Sequence, residues 1–135
     1  MRAKAVLAIL LGIILLLFIS GCGSRVFSIE SVDISRDIDG DYAPVDIMEE
    51  FPAGTSIIYI SVKVENMTPG DSLAVTWNYL ETGDEINTTV FSPQETGSGY
   101  IGFNVMVDEG FPAGNYNALV YVNDELYETV EFIVK

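Results

Sequence analysis

From Phe27 to the last residue, apolar side chains recur at every second position, in runs of six to nine residues separated by Gly, Pro, Asn and Asp. An interval of two sends successive side chains to opposite faces of an extended strand, whereas an amphipathic helix needs intervals of three and four. The clearest runs are Ser56–Val64, Leu73–Leu80, Glu85–Phe91, Tyr100–Val107, Asn115–Val122 and Leu126–Val134. A first strand is expected over Val26–Ile34, and a short edge segment over Val45–Met48. Short alternating strands at near-regular spacing predict an all-β antiparallel sandwich or barrel of about seven or eight strands. No stretch after Phe27 has helical periodicity.

The connections carry their own signals. Glu81-Thr82-Gly83-Asp84 and Asn123-Asp124 lie between strand runs and read as hairpin turns, because Gly, Asn and Asp tolerate the left-handed backbone such turns require. Thr68-Pro69-Gly70-Asp71 is a turn with proline pre-set for its second position, and Ser92–Gly99 reads as a polar loop. The tetrapeptide Phe-Pro-Ala-Gly occurs twice, at residues 51–54 and 111–114. The strand patterns that follow the two copies differ, so the expectation is one turn used twice, with each phenylalanine plugging an end of the core, and not a duplicated domain.

Trp77 sits mid-strand in Leu-Ala-Val-Thr-Trp-Asn-Tyr-Leu, and Tyr116, 39 residues later, sits in Gly114-Asn115-Tyr116-Asn117-Ala118. This pair resembles the core tryptophan and tyrosine-corner segment of immunoglobulin-like domains. Ala118 stands where that pattern has its second cysteine, and Ile58 or Ile60 would stand for the first. The resemblance therefore implies a disulfide-free, fibronectin type III-like sandwich over residues 27–135. It places Ile58, Ile60, Val62, Trp77, Ile101, Phe103, Val105, Tyr116, Ala118, Val120, Val130, Phe132 and Val134 in the core. Tyr59, Tyr79, Tyr100, Tyr121 and Tyr127 are expected on the outer faces.

The N-terminus follows different rules. Arg2 and Lys4 precede an uncharged stretch, Ala5 to Ile19, which ends in Ile19-Ser20-Gly21-Cys22. A basic start, an apolar run of this size and then small residues is the order of a signal peptide, and the run is shorter than the roughly 20 residues a membrane-spanning helix needs. The tetrapeptide resembles the lipobox of bacterial lipoproteins. That resemblance implies a signal-peptide helix over residues 1–21, lipid attached to Cys22, a short tether over 22–26, and a location on the extracytoplasmic side of the cell membrane or outer membrane.

Removing residues 1–21 leaves four basic side chains, Arg25, Arg36, Lys63 and Lys135, against 20 acids, a net charge of −16. Nucleic acid is a poor partner for such a surface, because its binding depends on basic side chains displacing counterions from phosphates. An anionic membrane surface would also repel it over a Debye length of about 8 Å. There is no histidine, and the one cysteine is Cys22. This removes the usual zinc and copper ligands and the usual base for a serine or cysteine nucleophile, so the expectation is that the chain is not an enzyme.

Two constellations remain as candidate sites. Asp37, Asp39 and Asp41, flanked by Asp33 and Asp46, alternate around Gly40 and offer hard oxygen ligands for calcium, though Gly40 and Met48 stand where an EF-hand loop would need other residues. Outward tyrosines, Tyr59, Tyr79 and Tyr121, would form an apolar platform with a polar rim for a sugar ring or peptide. The leading expectation is a non-catalytic binding or protein-interaction module of the cell envelope, with a protein or glycan partner. The alternative is a calcium-dependent or carbohydrate-binding module, and a hydrolase using paired carboxylates comes third.

Overall fold

The computed structural model describes residues 26–135. Nine strands run in chain order: β1 (Ser28–Ile38), β2 (Pro44–Ile47), β3 (Glu50–Phe51), β4 (Ile57–Met67), β5 (Leu73–Tyr79), β6 (Asp84–Phe91), β7 (Gly97–Met106), β8 (Gly114–Val122) and β9 (Glu125–Val134). They form two sheets, one ordered β2-β1-β4-β7 and the other β3-β9-β8-β5-β6. Every pairing is antiparallel except β3 with β9. The sequence-based signal-peptide helix and Cys22 lie outside the described residues.

Alternation explains which faces meet. On β5, Leu73, Val75 and Trp77 are fully buried while Ala74 and Thr76 between them are half-buried. The β4 residues Ile58, Ile60 and Val62 are likewise inaccessible and close the core from the other sheet. Around Trp77 the interior becomes aromatic. Phe132 meets Trp77 and Phe51 edge-on, at 6.1 and 5.8 Å between centroids, and stacks on Tyr116 at 5.1 Å. Offset and edge-on geometry is what ring quadrupoles favour. The Tyr116 hydroxyl donates to the carbonyl oxygen of Pro112, four residues upstream, as a tyrosine corner requires.

Several expectations change at irregular places. The strand expected to end at Val64 runs to Met67 through a register shift, with Asn66 at φ 54°. The bulge adds a residue, so inward Val64 and Met67 are three apart and the period-two signal breaks. Ile101 and Val130, expected in the core, are only half-buried and pack against its margin. The two Phe-Pro-Ala-Gly copies do bury Phe51 and Phe111, but they are not the same turn. Pro52 accepts from the Thr55 amide, whereas Pro112 accepts from the Tyr116 hydroxyl. The two segments also lie side by side: the Phe111 amide donates to the Thr55 carbonyl at 2.8 Å, and a Cβ on Gly110, just before the second copy, would lie 3.4 Å from the Gly54 Cα.

Candidate functional site

The β1–β2 turn uses its aspartates locally. One carboxylate oxygen of Asp39 accepts from the amides of Asp41 and Ala43, at 2.8 and 3.0 Å, and Asp37 accepts from the Ile38 amide at 2.8 Å. Short side chains that bond their own backbone in this way stabilise turns. Among the described residues, no group of three or more acidic side chains is placed to hold a metal ion. The calcium expectation for Asp37, Asp39 and Asp41 is thereby corrected: the three carboxylates do not converge on a common centre, and one oxygen each of Asp37 and Asp39 is taken by backbone amides.

The same turn delivers a residue that the sequence did not single out. Tyr42, at φ 65°, lies over the outer face of the β2-β1-β4-β7 sheet, where a Cβ on Gly102 would meet its ring carbon at 3.0 Å. Its carbonyl accepts from the buried Ser61 hydroxyl at 2.7 Å. A glycine in mid-strand was the available signal, since such a residue marks a close approach by other atoms.

The three tyrosines expected to share a platform do not share a face. Tyr59 lies on β4 and Tyr121 on β8, in different sheets. Tyr79 is on the Trp77 side of β5. Its ring packs 4.7 Å from that of Tyr116, and its hydroxyl donates to the Ala113 carbonyl at 2.8 Å. At the last residue of a strand an inward position opens toward the end of the sandwich, so Tyr79 buttresses the tyrosine corner. The joint platform of Tyr59, Tyr79 and Tyr121 is therefore corrected.

Acidic groups gather where the sandwich is open. A groove of about 580 Å³ is lined by Glu49, Glu50, Glu81 and Glu131 with Leu80 and Ile133. Glu81 accepts from both the backbone and side-chain amide of Asn115, each at 2.9 Å, and these bonds hold its carboxyl below the usual range. Glu50 pairs with Lys135 at 3.2 Å. A second groove, of about 380 Å³, runs between β1 and β9. Val32, Ile34 and Val130 form its apolar part, exposed Ile47 stands at its side, and Asp33, Glu49, Glu128 and Glu131 supply its charge.

No protein-family model matches the chain, and no curated protein matches it. Among solved structures, an immunoglobulin-like protein from Pseudomonas aeruginosa aligns with TM-score 0.59 at 14% identity, covering 84% of this chain and 100% of that one. The alkylpurine DNA glycosylase AlkC of Pseudomonas fluorescens, bound to DNA containing an abasic site analogue, aligns with TM-score 0.47 at 19% identity; 88% of this chain is covered and 33% of that one. The CARDB domain of a Pyrococcus furiosus protein, in complex with di-metal ions, aligns with TM-score 0.42 at 15% identity, covering 84% and 95%. Only the first is close enough to inform the fold. Together with the two-sheet topology and the tyrosine corner, it makes the described chain an immunoglobulin-like β-sandwich.

Proposed function

We propose that the protein is a lipid-anchored, extracytoplasmic lipoprotein whose sandwich is a non-catalytic protein-interaction module at the cell envelope. The anchor is supported by the lipobox-like Ile19-Ser20-Gly21-Cys22 and the apolar run before it. The interaction role is carried by one observation, a sheet edge left open beside large exposed side chains. β3 pairs with β9 only at Ile133 and Val134, and in the remainder of β9 Leu126 and Tyr127 are 56% and 52% exposed. Main-chain groups along such an edge offer hydrogen bonds to another strand. With a sandwich held off the membrane by its own charge and tethered by lipid, that edge is presented to neighbouring proteins.

Each half of the reading has its test. Replacing Cys22 with alanine should release the protein from lipid-dependent retention; unchanged retention in the membrane fraction would make the apolar segment the anchor instead. Photo-crosslinking in intact cells, with probes at Tyr127 and separately at Tyr42 on the other sheet, should capture one reproducible protein from Tyr127. Capture at neither position, with the protein at its normal level, would remove the interaction reading.

A further inference from the structure

The groove between β1 and β9 combines three features found together nowhere else among the described residues. The first is a free edge: β9 is paired to β8 along its length, but on its other side β3 reaches only Ile133 and Val134. On the facing side, β2 covers β1 only from Ser35 onward. The second is an apolar floor, Val32, Ile34 and Val130, between the two sheets. The third is the placement of Glu128, which shares the core-facing side of β9 with Val130 and Phe132 and yet is exposed. An exposed carboxylate in the inward register of a sandwich strand puts a solvated acidic group at the mouth of the groove, within reach of a partner's cation. Among the described residues the two ion pairs are Lys63–Glu30 and Lys135–Glu50, so Glu128 and Glu131 have no cationic partner there.

We infer that this groove receives an extended, basic segment of a partner protein, added as a strand to the free edge of β9. Its apolar side chains lie on Val32 and Val130, and its lysines or arginines lie against Asp33, Glu49, Glu128 and Glu131. The inference rests on reading the domain as an interaction module and names the partner's chemistry.

In the register centred on Glu128, charge also disfavours the other obvious occupant, a second copy of this chain. Antiparallel pairing of two β9 edges about Glu128 would set Glu128 against Glu128 and Glu125 against Glu131. Like charges directly opposed destabilise a strand pair, and inward-pointing charge is a known guard of sheet edges. The free edge of β6, by contrast, is uncharged from Ile86 to Phe91 and has no such discrimination. An acidic edge that keeps its backbone open favours basic strands over acidic ones.

The test is titration of the full-length chain, in zwitterionic micelles, with a capped nine-residue peptide alternating lysine and valine, followed by backbone amide NMR and calorimetry. Shifts are expected at Glu125–Glu131 and at Val32–Asp33, with binding that weakens as salt is raised. Glu128→Lys with Glu131→Lys should weaken it about tenfold, as expected when two rim attractions become repulsions. Asp84→Lys with Glu85→Lys on β6 makes the same change in net charge and should leave affinity unaltered. All four positions are exposed, and the emission of the single tryptophan, Trp77, checks that each variant is folded. Equal weakening by both charge pairs, shifts centred on β6, self-association through β9, or no binding at low salt would each overturn the inference. Capture of a protein at Tyr127 in cells together with no peptide effect on β9 would leave the interaction reading standing and remove this one alone.

Discussion

Replacing Tyr116 with phenylalanine isolates the corner hydrogen bond from the packing around it. The ring is 1% exposed, stacked on Phe132, edge-on to Phe111 at 5.6 Å, and beside Tyr79. Phenylalanine keeps all of these contacts and loses only the hydroxyl that bonds to the Pro112 carbonyl. Pro112 is an exposed residue, so water can take over the freed acceptor, and the cost should stay near the net value of one hydrogen bond, about 1 kcal/mol. In a domain of this size that lowers Tm by about 4 °C. Tyr116→Ala adds the loss of the ring and should cost about 3–5 kcal/mol. Urea unfolding followed by Trp77 fluorescence reads both, because Trp77 is the only tryptophan and is fully buried. An unchanged midpoint for Tyr116→Phe, at constant m, would refute the idea that the corner bond contributes to stability.

Alkaline pH tests the same residue: burial first, then the Tyr79 phenol and the Glu81 carboxylate, push the Tyr116 phenol from 10.0 to about 12. The folded state thus retains a proton that the unfolded state loses, so stability is intact below pH 10 and falls by about 3 kcal/mol toward pH 12; a phenolate absorbance titration with no late-ionising tyrosine would contradict this. At acid pH the sign reverses. The Thr68 amide, then the Asn123 amide and the Thr68 hydroxyl, hold Asp71 below 3.8, and Asn115 does the same for Glu81, so stability present above the ordinary carboxylate range should decline as pH falls through it. That slope should flatten in Asp71→Ala with Glu81→Ala, measured as the urea midpoint against pH. Gly114→Ala should cost about 1–3 kcal/mol, since Gly114 has φ 145° and an added Cβ would lie 2.7 Å from the Glu81 Cγ; Gly40→Ala, with nothing within 4 Å, should be near neutral by thermal unfolding.

Much of the fold was legible because its signals are local. Alternation in Leu73–Tyr79 follows from strand geometry alone, and Asn123 and Asp124 do take positive φ, 50° and 67°, as a two-residue hairpin demands. The Gly-x-Tyr spacing of the corner is equally short-range, and Tyr116 bonds four residues back. The candidate sites fared differently. Asp39 is a plausible calcium ligand on paper, but nothing in the order of residues says that two backbone amides will claim its oxygen first. Tyr79 is different: two residues after Trp77, the period of two already points it inward, and its assignment to an outer face went against that alternation. What the local pattern lacks is that the strand ends there, which leaves the ring half-buried against Tyr116.

The sequence by itself determined that the chain would alternate, turn at its Gly, Pro, Asn and Asp clusters, carry strong negative charge and form an antiparallel sandwich, since each of these depends on near neighbours or on composition. Apart from the short edge segment that becomes β2, only the tertiary structure decided which strands lie at the edges. The two-residue parallel strand β3 joins Glu50 to Ile133 and Phe51 to Val134 across some eighty residues of chain, a pairing too short to show periodicity. Its brevity leaves most of β9 open, and Tyr42 comes to lie on Gly102 only because β1 and β7 share β4 as a neighbour. Edges and close approaches are set by competition among distant partners for hydrogen bonds and apolar contact, and a local pattern holds no record of which partner wins.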